Sequence, residues 1–399
     1  MDFSLTEEHL MVGKSARDFA KREVSPFIKE QDKNEKFDPK ILKKLGDAGF
    51  FGICFPKKYS GQGLDYISLG LVSLEFEKVD TFLRVIISVH VGLNSLTLLQ
   101  WGTEDQKKKY LIPQIKGEKI AAFGLTEPNA GSDVLGIQAT AKKDENHYIL
   151  NGEKTWISLA DFADNFLIFA YTDKEKKHHG ISAFIVEKSF KGISTSTIHG
   201  KLGVRAGNTG SISIQDVKVP KENLLGHEGD GFKIAMSALD NGRYTVGAGA
   251  VGTIEAALEI STRYAHERET FGKEIGKHQL VQQMIAKMAA SRDIGRLLIY
   301  QAGHLKNTGK RNTRETSLLK WINCNNAFES ANDALQILGA YGYSNEFDIE
   351  RHLRNSRGSI IYEGTREIHT ILQAEYALGY REDKPLEKTL PSWPFKEDK

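Results

Sequence analysis

His147-Tyr148-Ile149-Leu150-Asn151-Gly152-Glu153-Lys154-Thr155-Trp156-Ile157-Ser158 sits near the middle of the 399-residue chain and decides how the rest is read. Apolar and polar side chains alternate across it, and Asn151-Gly152 readily takes the positive φ angles of a type I′ turn, so the stretch predicts a β-hairpin. On either side, Phe166 to Tyr171, Ile181 to Val186 and Ser211 to Val219 are short runs of β-branched and aromatic residues with turns between them. Residues from about 121 to 219 therefore predict an antiparallel β-barrel or sandwich. Further out, the period changes from two to 3.6. Towards the N-terminus, Ser4-Leu5-Thr6-Glu7 has capping-box spacing and leads into Val12, Ala16, Phe19 and Ala20, until Pro26 intervenes. Helical spacing continues through Ile41 to Leu45, Leu69 to Phe76 and Gln106 to Ile115, around a glycine-rich stretch at Tyr59 to Gly63. After Pro220, the stripes Ala250, Ile254, Ala257, Leu258 and Val281, Met284, Ile285, Met288 predict long antiparallel helices, extended by Leu318 with Ile322 and Ala331 with Leu335. The expected architecture is α+β and multi-domain: helical over 1–118, β over 119–228, and a helical bundle over 229–399 that ends in a charged surface tail from Tyr380 to Lys399.

Composition narrows the function. Lys and Arg total 54 against 52 Asp and Glu, a net +2 with no long run of one sign, which leaves no footprint for nucleic acid. The first ten residues carry Asp2, Glu7 and Glu8 and lack the basic and apolar regions of a signal peptide. Val85 to Leu99 is broken by Ser88, His90, Asn94 and Ser95 and reads as too short to span a bilayer, so no membrane insertion is expected. Cys54 and Cys324 lie far apart, and His178-His179 point different ways in a lysine-rich turn, so no metal site is expected. The cysteine usage fits a reducing compartment, either cytoplasm or an organelle matrix.

Two glycine-rich strings invite a cofactor. Gly247-Ala248-Gly249-Ala250-Val251-Gly252 matches the dinucleotide pattern G-x-G-x-x-G, but no strand precedes it and its surroundings are helical, so close helix packing is the better reading. Ala122-Phe123-Gly124-Leu125-Thr126-Glu127-Pro128-Asn129-Ala130-Gly131-Ser132-Asp133 runs from an apolar strand into a turn rich in backbone donors and hydroxyls, which suits a polar ring, a phosphate or a plain capped loop.

That second string closely resembles the flavin signature of the acyl-CoA dehydrogenases, and other segments follow in family order. Lys154-Thr155-Trp156-Ile157-Ser158 is similar to the strand lying against the isoalloxazine, and Arg268-Glu269-Thr270-Phe271-Gly272 with Gln279 to the segment at the FAD pyrophosphate and adenosine. Gln336-Ile337-Leu338-Gly339-Ala340 resembles the loop that reaches a neighbouring subunit's FAD, with Ala340 where many members carry a second Gly. Tyr362-Glu363-Gly364-Thr365 resembles the segment bearing the catalytic carboxylate. The resemblance implies an N-terminal α-domain, a middle antiparallel β-barrel and a C-terminal four-helix bundle. It also implies FAD held by Phe123, Leu125, Thr126, Ser132, Trp156, Ile157, Ser158, Arg268, Thr270, Phe271, Gln279, Gln336, Gly339, Ala340, Thr365 and Glu367. Ser132, Asp240, Arg243, Tyr362 and Gly364 fall where substrate is contacted. Glu363 is the implied base, taking the α-proton of an acyl-CoA thioester while the β-hydrogen leaves as hydride. The thioester oxygen would sit between a flavin ribityl hydroxyl and the Glu363 N–H. The apolar lead-in Ser359-Ile360-Ile361-Tyr362 is expected to desolvate the carboxylate. Implied partners are an electron-transferring flavoprotein and further copies of the chain, as a homotetramer.

Arg84 bears on the acyl group. It lies within Thr81 to Val89, whose composition says buried helix, and a buried arginine needs an anion. Glutaryl-CoA dehydrogenases carry Arg at this place for the substrate's distal carboxylate, whereas short-chain members carry small or uncharged residues. Glu77, Ser88, Arg351-His352 and Ile368-His369 extend the resemblance to that subgroup, while Val85 departs from its usual Ser. Ser88 and Arg84 are thus expected on the substrate, and the implied reaction is dehydrogenation of glutaryl-CoA with decarboxylation to crotonyl-CoA. The alternatives are a short-chain or branched-chain acyl-CoA dehydrogenase, an oxidase, a non-catalytic flavin- and acyl-CoA-binding protein, or an Arg84 that merely pairs with Glu77 or Asp80.

Overall fold

Thr6, rather than Ser4, caps the first helix. Its hydroxyl accepts the backbone N–H of His9, and the His9 ring accepts the Thr6 N–H, so an imidazole closes the box in place of the expected Glu7 carboxylate. The protein is seen here as a computed structural model that describes residues 4–396, so the outermost residues of both terminal segments, Asp2 and Lys399 among them, lie outside the described residues.

Helices α1 (Glu7–Glu23), α2 (Ile28–Lys33), α3 (Lys40–Asp47) and α4 (Tyr66–Val79) lead to a continuous helical rod, Thr81–Trp101. The rod comprises α5 (Thr81–Ile86), a π-helical stretch Ile87–Ser95 and α6 (Leu96–Trp101). It is followed by α7 (Glu104–Gln106), a second π-helical stretch and α8 (Ile112–Ile115). The rod corrects the reading of Val85 to Leu99 as too short: at 21 residues, with an 18-residue stretch of mean hydropathy 1.6, it is long and apolar enough to cross a membrane, yet 94% of that stretch is buried inside the protein. Its polar residues find partners there. The His90 ring engages Gln114 O at 3.0 Å and Ala121 N at 3.0 Å, and Asn94 donates to Ala122 O, which fixes the rod against the first strand.

The strands are β1 (Ala121–Gly124), β2 (Thr140–Asp144), β3 (His147–Ser158), β4 (Asn165–Tyr171), β5 (Ile181–Glu187), β6 (Ile193–Thr197), β7 (Thr209–Pro220) and β8 (Leu224–Leu225). Asn151-Gly152 does not turn. β3 runs straight through it as one 12-residue strand, and the reversal lies instead between β2 and β3, where Glu145 takes φ +42°. Tertiary pairing overrides the local preference: Asn151 bonds Asp216 through both its amide groups, and Gly152 occupies a bulge where a Cβ would stand 2.6 Å from Ala139 Cβ. The sheet order is β6-β7-β3-β2-β4-β5-β8, with β1 parallel to β4 and one parallel pairing of β2 with β4. β6 and β8 end the order and do not pair with each other, so the expected antiparallel barrel is, among the described residues, an open, mixed sheet.

The C-terminal helices are α9 (Gly231–Glu267), α10 (Gln279–Asn307), α11 (Thr313–Leu338), α12 (Ile349–Ser359) and α13 (Arg366–Ala377). Gly247 to Gly252 falls inside α9, as the packing reading requires. A Cβ at Gly252 would lie 2.1 Å from Leu74 O and one at Gly247 would lie 2.9 Å from Lys320 N. The chain beyond α13 keeps to the surface as expected, with no described residue from Tyr380 on buried, but it is tied down: Trp393 donates its indole N–H to Gly63 O and its backbone N–H to Asn307 O, so it straps the start of α4 to the end of α10.

Candidate functional site

Glu363 lies in the short turn between α12 and α13, with φ +54°, and Gly364 follows at φ +100°. A left-handed glutamate is strained, and such strain persists where surrounding groups over-determine it. Here they do. Arg243 of α9 donates its Nε–H to Glu363 O at 3.2 Å, Lys320 of α11 donates to Gly364 O at 2.6 Å, and a Cβ at Gly364 would stand 2.8 Å from His369 Nε2. Thr365 caps α13 by accepting the Ile368 N–H. The turn is thereby fixed from three helices.

The Glu363 carboxyl points at Gly242 in the middle of α9. A Cβ there would lie 2.1 Å from Glu363 Oε2 and 2.6 Å from Leu93 Cδ2, so only glycine leaves room. Oε2 is sealed from solvent and has no hydrogen-bond donor among the described residues, although the residue keeps some surface. Burial pushes the Glu363 pKa up to about 7, against the pull of Arg84, Lys320 and Arg243. Ile361 corrects one expectation: it is exposed, so Gly242, Leu93 and the helix faces dry the carboxyl together with the buried Ser359 and Ile360 of the lead-in.

Arg84 is 1% exposed. Its Nε meets Glu77 Oε2 at 2.5 Å, NH2 donates to the Tyr362 hydroxyl at 2.5 Å and NH1 to Ser88 Oγ at 3.3 Å. Ser88 also shares a 2.7 Å bond with Thr245, which donates to Gly242 O. Gly249 makes space for the pair, since a Cβ there would lie 2.2 Å from Glu77 Oε2. Burial opposes the guanidinium charge, and Glu77 and Tyr362 outweigh it. The anion that a buried arginine needs is therefore present in the chain as Glu77, and the same guanidinium reaches Tyr362, the residue before Glu363. Arg351-His352 lies elsewhere, with Arg351 clamped to Asp80 and Asp348. Asp240 stands beside Arg243 at 3.4 Å and accepts the Thr313 hydroxyl.

Trp156 occupies a second bulge of β3, between the pairs Lys154/Ile212 and Ile157/Gly210, with φ +59°. The bulge turns the indole outward, 60% exposed, which excludes a core role. Ile157 is buried, and Ser158 half-buried beside it. The Leu125 to Ala139 loop is pinned to the same strand: Lys154 Nζ bonds Leu125 O and Glu127 Oε1, and the Thr155 N–H donates to Thr126 O. Leu125, Thr126 and Trp156 thus come together, with Phe123 buried behind them against Phe169 and Ser132 exposed. Arg268, Phe271, Gln279, Gln336, Gly339, Ala340 and Glu367 are exposed, and Phe271 stands 96% open. Thr270 bonds His278. The Arg268 side chain has no partner among the described residues, so it does not pair with Glu269.

Family models for the acyl-CoA dehydrogenase N-terminal, middle and C-terminal domains match residues 6–118, 122–217 and 229–378. The chain belongs to the acyl-CoA dehydrogenase family. It is 42% identical to the short-chain-specific acyl-CoA dehydrogenase of Clostridium acetobutylicum, over 93% of this chain and 98% of that one. A solved glutaryl-coenzyme A dehydrogenase in complex with glutaryl-CoA is 38% identical, covering 98% and 99% of the two chains with a TM-score of 0.92. A chain of a solved structure described as an electron transferring flavoprotein of Acidaminococcus fermentans is 43% identical, covering 95% and 100%, with a TM-score of 0.93. As an acyl-CoA dehydrogenase, the protein is an oxidoreductase built from a helical, a sheet-rich and a second helical domain. Lys320 grips the Glu363 turn, Thr245 links Ser88 to Gly242, and Gly249 makes room for Glu77; the sequence pointed to none of these beyond helix packing for Gly249, whereas Gly242 lies in the Asp240 to Arg243 stretch that the resemblance matches to substrate or base contacts. Lys320, Thr245 and Gly249 lie on helices far from Tyr362-Glu363-Gly364-Thr365 and carry no local signal.

Proposed function

We propose that the protein dehydrogenates an acyl-CoA thioester between its α and β carbons with Glu363 as base, and that its preferred substrate is a dicarboxylic thioester such as glutaryl-CoA. The observation that carries the base is the orphaned, buried Oε2 of Glu363, with its pKa near 7: a carboxylate dry enough to be basic and unpartnered enough to take a proton from carbon. Breaking the α C–H bond puts the proton on Oε2 and charge on the thioester oxygen. The Glu363 backbone N–H, which has no backbone acceptor among the described residues, is available to that oxygen. FAD, when bound, supplies the acceptor for the β-hydride. Trp156 with Leu125, Thr126 and Ser158 would hold its ring system, and Arg268, with a free guanidinium, suits its pyrophosphate. Gln279 and the exposed Gln336, Gly339 and Ala340 would complete the cradle across subunits of a tetramer.

The dicarboxylate reading rests on Arg84, which reaches Tyr362 directly beside the base and whose NH1 has only a 3.3 Å bond to Ser88. Loss of CO₂ from the resulting glutaconyl-CoA would send the C–C electron pair into the conjugated thioester, with Glu363 returning its proton to give crotonyl-CoA. The second reading, a short-chain acyl-CoA dehydrogenase, is favoured by Glu77: it already neutralises Arg84, so the cluster can be complete without a substrate carboxylate. Electrons would pass on to an electron-transferring flavoprotein.

Product analysis with glutaryl-CoA and butyryl-CoA and an artificial electron acceptor separates these. The dicarboxylate reading expects faster glutaryl-CoA turnover with CO₂ and crotonyl-CoA, and the double variant Glu77→Gln/Arg84→Met should lose glutaryl-CoA activity while keeping butyryl-CoA activity. Butyryl-CoA turned over far faster by the unmodified enzyme would leave the short-chain reading. Glu363→Gln should lose turnover on both by about 10²- to 10⁴-fold and keep its yellow flavin, which excludes a binding protein.

A further inference from the structure

Lys320 stands out among groups that the reaction does not use. It is 1% exposed in the middle of α11, and its ammonium has one hydrogen-bond partner among the described residues, the Gly364 carbonyl at 2.6 Å. Burying an ammonium without a carboxylate partner is costly, and a chain keeps one where its charge or its donors are needed. The carbonyl it grips is that of the residue directly after Glu363. One turn earlier on α11, Ser317 Oγ holds His369 Nδ1 at 2.9 Å, so one face of this helix supports both sides of the left-handed Glu363-Gly364 turn. On the α9 side, Arg243 holds the Glu363 carbonyl.

We propose that Lys320 is a positioning residue for the base: by holding Gly364 O it keeps the Glu363-Gly364 turn left-handed, with the carboxyl over Gly242 and a buried cation near it. The inference rests on Glu363 being the base. Other groups face the carboxyl from every packed element: Arg84 on α5, Arg243 on α9 and His369 on α13, with Glu77 on α4, Asp240 on α9, Cys324 on α11 and Tyr362 next to it. Of these, Arg84 and Arg243 already have carboxylate partners in Glu77 and Asp240. Burial lowers Lys320 itself to about 8, so it is charged where Glu363 titrates.

The test compares Lys320→Met, Lys320→Gln and Lys320→Arg with the unmodified enzyme and with Glu363→Gln, all flavin-loaded, by kcat, KM, the pH dependence of kcat/KM and a ¹³C-carboxyl titration of Glu363. Lys320→Met should fold, since a methionine fills the same space without a buried charge, and Lys320→Gln supplies the same comparison with a neutral donor. The expected results are a kcat about 10- to 100-fold lower with KM changed less than about threefold, and a base pKa raised by about half a unit or more. Arg should restore both. Met and Gln variants with unchanged kcat and base pKa overturn the proposal, and so does a loss of rate that comes with flavin loss and an unmoved base pKa. If Glu363→Gln keeps its turnover, the base itself was misassigned, a separate result read from a separate variant.

Discussion

The turn around Glu363 and the segments expected around the flavin are built in opposite ways. At the base, two carbonyls, two cations and a glycine-lined slot are assembled by one chain, and a carboxyl oxygen is sealed from water. Towards the cofactor, Trp156, Phe271 and the Gln336 loop stand open, with Arg268 unpartnered. Packing alone prepares the proton-transfer side, whereas the other side offers surface that a ligand can cover. Substitutions in the first region should therefore register in the protein without cofactor, and substitutions in the second should register only on loading.

The largest effect is expected at Arg84. Arg84→Met strands the Glu77 carboxylate in the interior and should cost about 3–5 kcal/mol in denaturant unfolding, most of it recovered when Glu77→Gln is added. Next is Gly242→Ala, whose methyl would need the place of Glu363 Oε2. The expected outcome is a fold-retaining variant with turnover down about 100-fold, and near-normal turnover would mean that the carboxyl does not work from this slot. A smaller effect of the opposite sign is expected for Glu363→Gln. Because the native pKa of about 7 lies above the ordinary value of 4.5, the folded state holds the proton more tightly, and stability falls as pH rises from 4.5 to 7. Removing the ionisable group should be neutral near pH 4 and stabilise by about 1–3 kcal/mol at pH 8, visible as a Tm gap that opens with pH. Smallest is Trp156→Ala, which should leave apoprotein stability within about 0.5 kcal/mol yet weaken flavin retention about tenfold. A large stability loss there would erase the contrast between the two regions.

Much of this site was legible in the sequence, and the rest was hidden for physical reasons. Tyr362-Glu363-Gly364-Thr365 is contiguous, so the family resemblance shows on it directly, and Glu77 lies only seven residues before Arg84, close enough for the pair to be weighed from sequence. Lys320 and Gly249 become meaningful only once α9 and α11 are packed against the turn, because each acts through a contact to a distant residue. Asn151-Gly152 misled because its turn preference is weaker than two rows of β-pairing and the Asn151–Asp216 bonds. The barrel misled because strand order and edge pairing are properties of the whole sheet, and no run of residues encodes that β6 and β8 stay apart. The charge of the tail from Tyr380 told correctly that it stays at the surface, but not that Trp393 supplies two bonds that dock it.

The pH profile of kcat/KM for the preferred acyl-CoA, taken from pH 5 to 9, tests most directly whether a dry Glu363 is the base. The rate should climb through an apparent pKa near 7 and the climb should vanish with the activity in Glu363→Gln. A rate already level at pH 5, or a Glu363→Gln enzyme that still reduces its flavin with substrate, would contradict it.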